Sequence, residues 1–325
     1  MKTIIGILSF NDLHYLKKVL PTIHKLPDSR IIILDNAHND EVKNFIEKEY
    51  PEIKYLRHKD GNIGFGNGHN YILEHATVGE YYFCLNNDIL INEKGFEECI
   101  DYLDKHKETA MISGKLYHWD FAKNKKTNII DTVGIVGNRA HSFWDRGQGK
   151  KDKGQYDRTI NNIFGISGAA FIIRREAIEK IQRGSESEIR RRAASECALF
   201  DPNIFMYKED IDLSYRLRWI GAEIVMLNTV LGWHARTLAK GSKKTQFLAK
   251  MSYKNHLIML RNNLSSGYSL HTRFLTFIYE KAKFLFYIVT KPKVALELFR
   301  VLKVKNIHKS KRTVEPKTVE KFLLK

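Results

Sequence analysis

Short apolar runs alternate with amphipathic stretches from Thr3 to Leu85. "TIIGILSF", "RIIILDNA", "IKYLRH" and "EYYFCL" are β-branched, aliphatic and aromatic runs of strand length, and each predicts a strand. Between them, "DLHYLKKVLPTIHKL" places Leu13, Leu16, Val19, Leu20 and Ile23 at helical spacing. "DEVKNFIEKEY" and "HNYILEHA" predict two more helices. Strands alternating with helices imply an α/β unit on a mainly parallel sheet flanked by helices. Such sheets bind ligands beyond the C-terminal ends of their strands, so the residues that end strands carry the candidate chemistry.

The pattern changes after Met111. "AMISGKLY" and "NIFGISGAAFIIRR" predict strands. Between them, "DTVGIVGNRAHSFWDRGQGKKDKGQYDR" is rich in Gly, Asp and Lys and predicts a long loop or hairpin over a cleft. A helix with a charged, solvated middle is expected from Arg174 to Ala198. A turn, a helix and a strand follow across "DPNIFMYKEDIDLSYRLRWIGAEIVML". From Leu248 onward the chain reads as helical and basic, with eleven Lys or Arg against three Glu between Lys291 and Lys325. This part reads either as a solvated tail or as an amphipathic element on an anionic membrane surface, and the run "FLFYIVTKPK" favours the second. The expected organisation is one domain over 1–245 and a basic, partly amphipathic helical extension over 246–325.

Composition narrows the partners. A hydrophobic content of 43% in 325 residues can build a core, which excludes wholesale disorder. The net charge of +17 points to polyanions: nucleic acid, anionic lipid or phosphorylated substrates. Nucleic acid is not an expected partner, because the basic residues concentrate in the tail and do not alternate with stacking aromatics. Cys84, Cys99 and Cys197 show no paired spacing, which fits a reducing compartment and no zinc site. The first apolar run is too short for a secretory leader, and no stretch reaches the roughly 18 apolar residues of a spanning helix. The expected location is cytoplasmic, peripheral on the inner face of the cytoplasmic membrane.

Three strand ends stand out. "SFND" ends the first, "LDNAHND" places Asp35 and Asn36 at the tip of the second, and "LNND" delivers Asn86, Asn87 and Asp88 to the end of the fourth. Turn geometry or helix capping accounts for such residues, and half of a metal–diphosphate site is the alternative. The four glycines of "GNIGFGNGHN" allow close backbone approach to a ligand, and the helix expected just after them could face an anion. The stretch lacks the GK[ST] of a P-loop. In "YKEDIDLSYRLRWIG", Glu209, Asp210 and Asp212 sit at a helix start and complement its dipole, while Asp212 and Arg216 have the spacing of a surface pair. Asp210 shares a face with Leu213 and Leu217, so partial desolvation would make it a better general base. His234 follows a strand-like run. An imidazole with a carboxylate and diphosphate oxygens suits Mg2+ or Mn2+, but spacing does not say which carboxylate.

In order, "SFND", "ILDNAHND", "NIGFGNGHN", "LNNDIL", "GISGAAFIIRR", "FDPNIFMYKEDIDLSYRLRWIGAEI" and "GWHART" resemble the family-2 inverting glycosyltransferases over roughly Lys2 to Thr237. The segment beginning "DTVGIVG" resembles the rhamnosyltransferase-like branch, which builds bacterial surface polysaccharide. The resemblance implies a GT-A, Rossmann-like fold. It implies that Asp35, with Phe10, Asn11 and Asn36, lines the base pocket of a nucleotide-sugar. Asn62, Gly64, Phe65, Gly66 and Asn70 would shape the nucleotide and donor-sugar side, with Asn86 and Asn87. Asp88 would be the acid of a DXD-type motif and His234 its partner on metal or diphosphate. Asp210 would be the catalytic base, Glu209 beside it would position acceptor or base, and Gly168 and Ala169 would lie under the acceptor. The first acid of a full DXD falls at Asn86, an amide.

The function so implied is inverting transfer from a nucleotide-diphosphate sugar, dTDP-rhamnose favoured, to a hydroxyl of a growing, lipid-linked surface polysaccharide. The alternatives are a UDP-hexose donor and a nucleotide-sugar-binding protein without transfer, the latter supported by Asn86 alone.

Overall fold

In a computed structural model of the chain, residues 2–77, 79–181, 199–236, 246–303 and 310–324 are described. β1 (Thr3–Ser9) sends Ile5 and Ile7 into one buried layer and Ile4 into the other, as alternating side chains of a central strand must. β2 (Ser29–Asp35), β3 (Lys54–Arg57) and β4 (Tyr81–Asn86) join it in parallel, in the order β4-β1-β2-β3. One face is covered by α1 (Leu13–Ile23), α2 (Glu41–Glu49) and α4 (Glu93–Lys105), through Leu16 and Val19, Val42 and Ile46, and Phe96 and Leu103. The other is covered by α3 (Phe65–His75), α5 (Arg175–Ile181) and α6 (Glu209–Trp219), through Ile72, Ile178 and Leu213. These layers match the expected α/β architecture.

The sheet is not mainly parallel, and that expectation is corrected. β11 (Ala170–Arg174) enters between β4 and β6 (Thr109–Asp120) and runs antiparallel to both. Beyond it, β6 runs parallel to β12 (Glu223–His234). Three shorter strands pair antiparallel at this side: β5 (Ile89–Ile91) and β10 (Ile160–Asn161) on β12, and β7 (Lys125–Thr132) on β6. The result is a mixed sheet. The segment expected over the cleft begins at the last two residues of β7 and contributes a hairpin of β8 (Ile135–Asn138) and β9 (Phe143–Asp145), with β13 (Leu323–Leu324) beside β8.

Two local expectations also change. α3 begins at Phe65, inside the glycine-rich stretch and not after it. Gly64 precedes it at φ +85°, and a Cβ there would lie 2.5 Å from the Phe205 carbonyl oxygen, so only glycine fits. Asp212 and Arg216 are not a surface pair: both are buried, with Arg216 Nε donating to Asp212 Oδ2 at 2.9 Å. The 182–198 part of the expected Arg174–Ala198 helix lies outside the described residues.

The C-terminal part is helical: α7 (Gln246–Asn263), α8 (Leu270–Thr290) and the short α9 (Pro292–Ala295), α10 (Glu297–Leu302) and α11 (Pro316–Glu320). Met259, Leu260 and Tyr268 share a core with Ile211, Tyr215 and Trp219 of α6. α7 adds polar contacts: Asn263 Nδ2 donates to Asp212 Oδ1 at 2.8 Å, and Asn262 Nδ2 to Asp201 Oδ2 at 2.6 Å. Removing one partner of a buried ion pair strands the other charge without solvent. Asp212→Ala should therefore cost about 3–5 kcal/mol in chemical denaturation, and a loss below about 1 kcal/mol would contradict the buried pair.

Candidate active site

The turn at Asn86–Asp88 reverses β4 into β5, and β5 pairs antiparallel with the end of β12 at Ile89↔His234. That pairing brings Asp88 and His234 together across a long stretch of sequence. It is fixed on both sides: the Ala235 N–H donates to the Asp88 carbonyl at 2.9 Å, and the Asn86 N–H to the Ala169 carbonyl at 2.8 Å. Asn87 Nδ2 donates to Asp12 Oδ2. Asp12 also accepts from Ser9 Oγ at 2.7 Å and the Phe10 N–H at 3.0 Å. "SFND" thus anchors the turn through its aspartate.

His234 is buried between two carboxylates. Nδ1 lies 2.7 Å from Asp131 Oδ2, and Nε2 lies 3.2 Å from Asp88 Oδ1. Asp131 is wholly buried on β7 and is also contacted by Arg236, which in turn pairs with Asp145 at 2.8 Å. A carboxylate only accepts, so Nδ1 carries the proton toward Asp131. Nε2 faces Asp88 Oδ1, a buried oxygen with no other partner. Two lone pairs at that distance need a cation between them, a proton or a metal. Burial pushes the imidazole pKa down, but Asp88 and Asp131 outweigh it and hold it up at about 10. Asp131 itself is pushed up by burial and held below its ordinary value by His234 and Arg236. Among the described residues no group of three or more His, Cys, Asp or Glu is arranged to hold a metal. Asp88 and His234 therefore fit a metal whose remaining ligands come from elsewhere, such as diphosphate oxygens.

The second constellation starts α6. Asp210 Oδ1 accepts from the Ile211 N–H at 2.8 Å and Oδ2 from the Gly168 N–H at 3.2 Å. Burial raises its pKa despite these bonds. Beside it, Glu209 is buried with Oε2 unpartnered, and burial together with the Asp210 charge pushes it up to about 8. The turn before them is strained, with Tyr207 and Lys208 both left-handed at φ +68° and +76°. Asn255 of α7 holds that turn: its Nδ2 donates to the Met206 and Tyr207 carbonyls at 2.6 and 3.2 Å. Gly168 lies against Asp210, Glu209 and Phe65. Its neighbour Ala169 holds Asn86, so a two-residue bridge links the two constellations.

The residues expected on the nucleotide side divide. Asp35 is fully buried and accepts from the Ala37 N–H at 2.9 Å, Tyr55 Oη at 2.9 Å and Arg57 Nη2 at 3.0 Å. Its register partners Ser9 and Arg57 place it in a row across three strand ends. Asn36 donates its N–H to the Ser9 carbonyl and has an unpartnered Oδ1. Phe10 and Asn11 are exposed beside it, Asn11 accepting from Asn39. Asn62 Oδ1 accepts the Gly64 N–H, Phe65 donates its N–H to the Phe205 carbonyl, and Gly66 packs on Phe200. Asn70 is buried, with both ends of its amide on the Phe200 backbone at 3.0 Å. Sequence reasoning gave no role to Asp12, Asp131, Asn255 and Arg236. Asp12 lies in "SFND", Asp131 opens "DTVGIVG" and Arg236 lies in "GWHART", so each carried a local signal, whereas Asn255 did not.

The sequence matches the family model described as glycosyl transferase family 2 over residues 4–182. No curated protein matches it. Among solved structures, GalNAc-T7 with UDP, GalNAc and Mn2+ is similar at 12% identity and TM-score 0.55, over 81% of this chain and 48% of that one. S. aureus TarS 1-349 is similar at 12% identity and TM-score 0.54, over 99% and 83%. The mannosyltransferase PcManGT from Pyrobaculum calidifontis, with GDP-Man and Mn2+, is similar at 13% identity and TM-score 0.52, over 94% and 76%. The chain spans about half the length of GalNAc-T7 and 42% of the longer TarS chain. At these identities the likeness is one of fold, and it agrees with the mixed α/β sheet. The family match covers more than half of the chain, which therefore belongs to glycosyl transferase family 2.

Proposed function

We propose that the protein is an inverting glycosyltransferase that moves a hexose from a UDP-hexose to a saccharide hydroxyl. The observation that carries this reading is the pairing of two sites through Gly168 and Ala169. One is a desolvated, amide-oriented carboxylate at Asp210; the other is the Asp88–His234 pair, whose geometry calls for a cation. Asp210 takes the proton of the acceptor hydroxyl as its oxygen attacks the anomeric carbon. The bond to the diphosphate oxygen breaks on the opposite side, which inverts the centre. Each Asp210 oxygen already accepts one backbone N–H, which fixes the carboxylate while leaving a lone pair for that hydroxyl. Glu209 shares the buried site and supports Asp210. Asp88 and His234 would hold Mg2+ or Mn2+, which when bound would neutralise the departing diphosphate.

The donor reading moves from dTDP-rhamnose to UDP-hexose. GalNAc-T7 is named as a complex with UDP, a further structure of TarS 1-349 likewise, and PcManGT as a complex with GDP-Man. The rhamnosyltransferase-like branch is supported only by the resemblance of the segment beginning "DTVGIVG". A lipid-linked saccharide acceptor and a boundary near residue 245 belong to the same proposal.

Three measurements test this. Asp210→Asn should lower sugar transfer by about 10²–10⁴-fold while the protein still binds UDP with Mn2+; full transfer activity would overturn the assignment of the base. Because burial raises both carboxyl pKa values, the base ionises late, and kcat/KM should climb with pH through a limb above the usual carboxylate value of about 4. A profile flat down to about pH 4 would contradict a desolvated base. Asp131→Asn should weaken Mn2+ binding, read by calorimetry, by about 10–100-fold, because it frees the imidazole that Asp131 orients. Unchanged affinity would remove Asp131 from the site.

A further inference from the structure

Helix α8 leaves an apolar ridge uncovered. Leu270, Phe274, Ile278, Leu285 and Val289 recur at steps of four and seven residues, with Phe274 61%, Leu285 60% and Val289 83% exposed. The chain that follows adds Leu296, Phe299 and Leu302, also exposed. Behind the ridge, a cavity of about 620 Å3 is lined by Leu257, Phe277, Phe284 and Leu298 together with Arg273 and Lys281. Its walls combine hydrocarbon with two cations and the Glu280 carboxylate.

Charge identifies the occupant. Residues 270–303 hold seven Lys or Arg and two Glu. Both acids turn inward: Glu297 is buried and paired with Arg300 at 2.7 Å, and Glu280 accepts from His256 Nε2 at 2.6 Å. The solvent-facing charge of this face is therefore basic. A second copy would bring the same cations against themselves, and protein interfaces are depleted in lysine. No described helix is long and apolar enough to cross a membrane. A basic rim around an apolar ridge suits a surface lying in the headgroup region of anionic lipid.

We propose that α8 and the segment through Leu302 seat the protein on an anionic phospholipid bilayer, with the cavity between α7 and α8 receiving lipid hydrocarbon. α7 is shared with the catalytic turn. Tyr253 and Leu257 line the cavity, while Asn255 holds the Met206 and Tyr207 carbonyls just before Glu209. Seating this face places that turn close to the bilayer, where an amphiphilic acceptor would be.

The test is co-sedimentation of the full chain with vesicles of phosphatidylcholine, with and without phosphatidylglycerol. It needs no turnover, so its outcome is independent of the proposed transfer. The protein should pellet with the anionic vesicles, and added salt should release it. Phe274→Ser/Leu285→Ser/Val289→Ser, all exposed positions, should keep the circular dichroism of the parent and lose binding by about a hundredfold or more. Lys281→Glu/Lys293→Glu should lose selectivity for the anionic vesicles. Failure of the parent protein to bind phosphatidylglycerol vesicles, or equal binding by the triple variant, would overturn the proposal. A concentration-dependent dimer dissolved by the same triple variant would assign the face to a second copy and overturn it as well.

Discussion

A buried imidazole between two carboxylates sets the polar end of this sheet. His234 reaches Asp131 through Nδ1 and Asp88 through Nε2, and three strands must run as they do for this to happen. β12 has to end beside β6, β7 has to fold back on β6, and β5 has to reverse immediately after β4. None of these pairings belongs to the parallel half of the sheet. The switch to mixed pairing is therefore what assembles the site: a wholly parallel continuation would have left Asp88 and His234 on separate strand ends. The clamp also fixes what can sit between its members: Asp88 Oδ1 lies 3.2 Å from Nε2, so either the imidazole proton or a bound metal must stand between them. In a low-dielectric setting the two acceptors could not face each other without such a cation.

The second constraint comes from the far end of the chain. Two consecutive left-handed residues, Tyr207 and Lys208, set the entry into α6 and so the direction of Glu209 and Asp210. Such geometry in residues with side chains persists only where surroundings over-determine it. Here α7 does so, through Asn255 on the turn itself and through Asn262 and Asn263 on Asp201 and Asp212. The C-terminal helices are thereby tied to the turn before Glu209 and Asp210 by hydrogen bonds as well as by a shared core. α7 both lines the cavity and holds this turn through Asn255.

Most of the α/β layering was legible because periodicity reports burial directly: the stripe Leu16, Val19, Leu20, Ile23 is the buried face of α1. The antiparallel entry of β11 was not, since a short apolar run carries no direction. Glu209, Asp210, Asp88 and His234 could be picked out as strand-end or helix-start polar residues, yet the partner of His234 depended on a pairing that spacing cannot reveal. Asp131 was hidden in a stretch that reads as loop. For Asn70 and Asp35, in the expected motifs, the sequence did not reveal their hydrogen bonds within the fold, to Phe200 and to Tyr55 and Arg57. Asp212 and Arg216 read as a surface pair because i,i+4 spacing says nothing of what packs over it, and α7 does.

The most direct test is calorimetric titration of UDP into the protein with and without Mn2+, repeated in Asp88→Ala. If Asp88 and His234 form half of a site completed by diphosphate, Mn2+ will tighten UDP binding in the parent protein, and that coupling will vanish in the variant while metal-free UDP binding persists. If UDP binds equally well with and without Mn2+, or if Asp88→Ala preserves the coupling, the cation between Asp88 and His234 is only a proton and the account of the site is wrong.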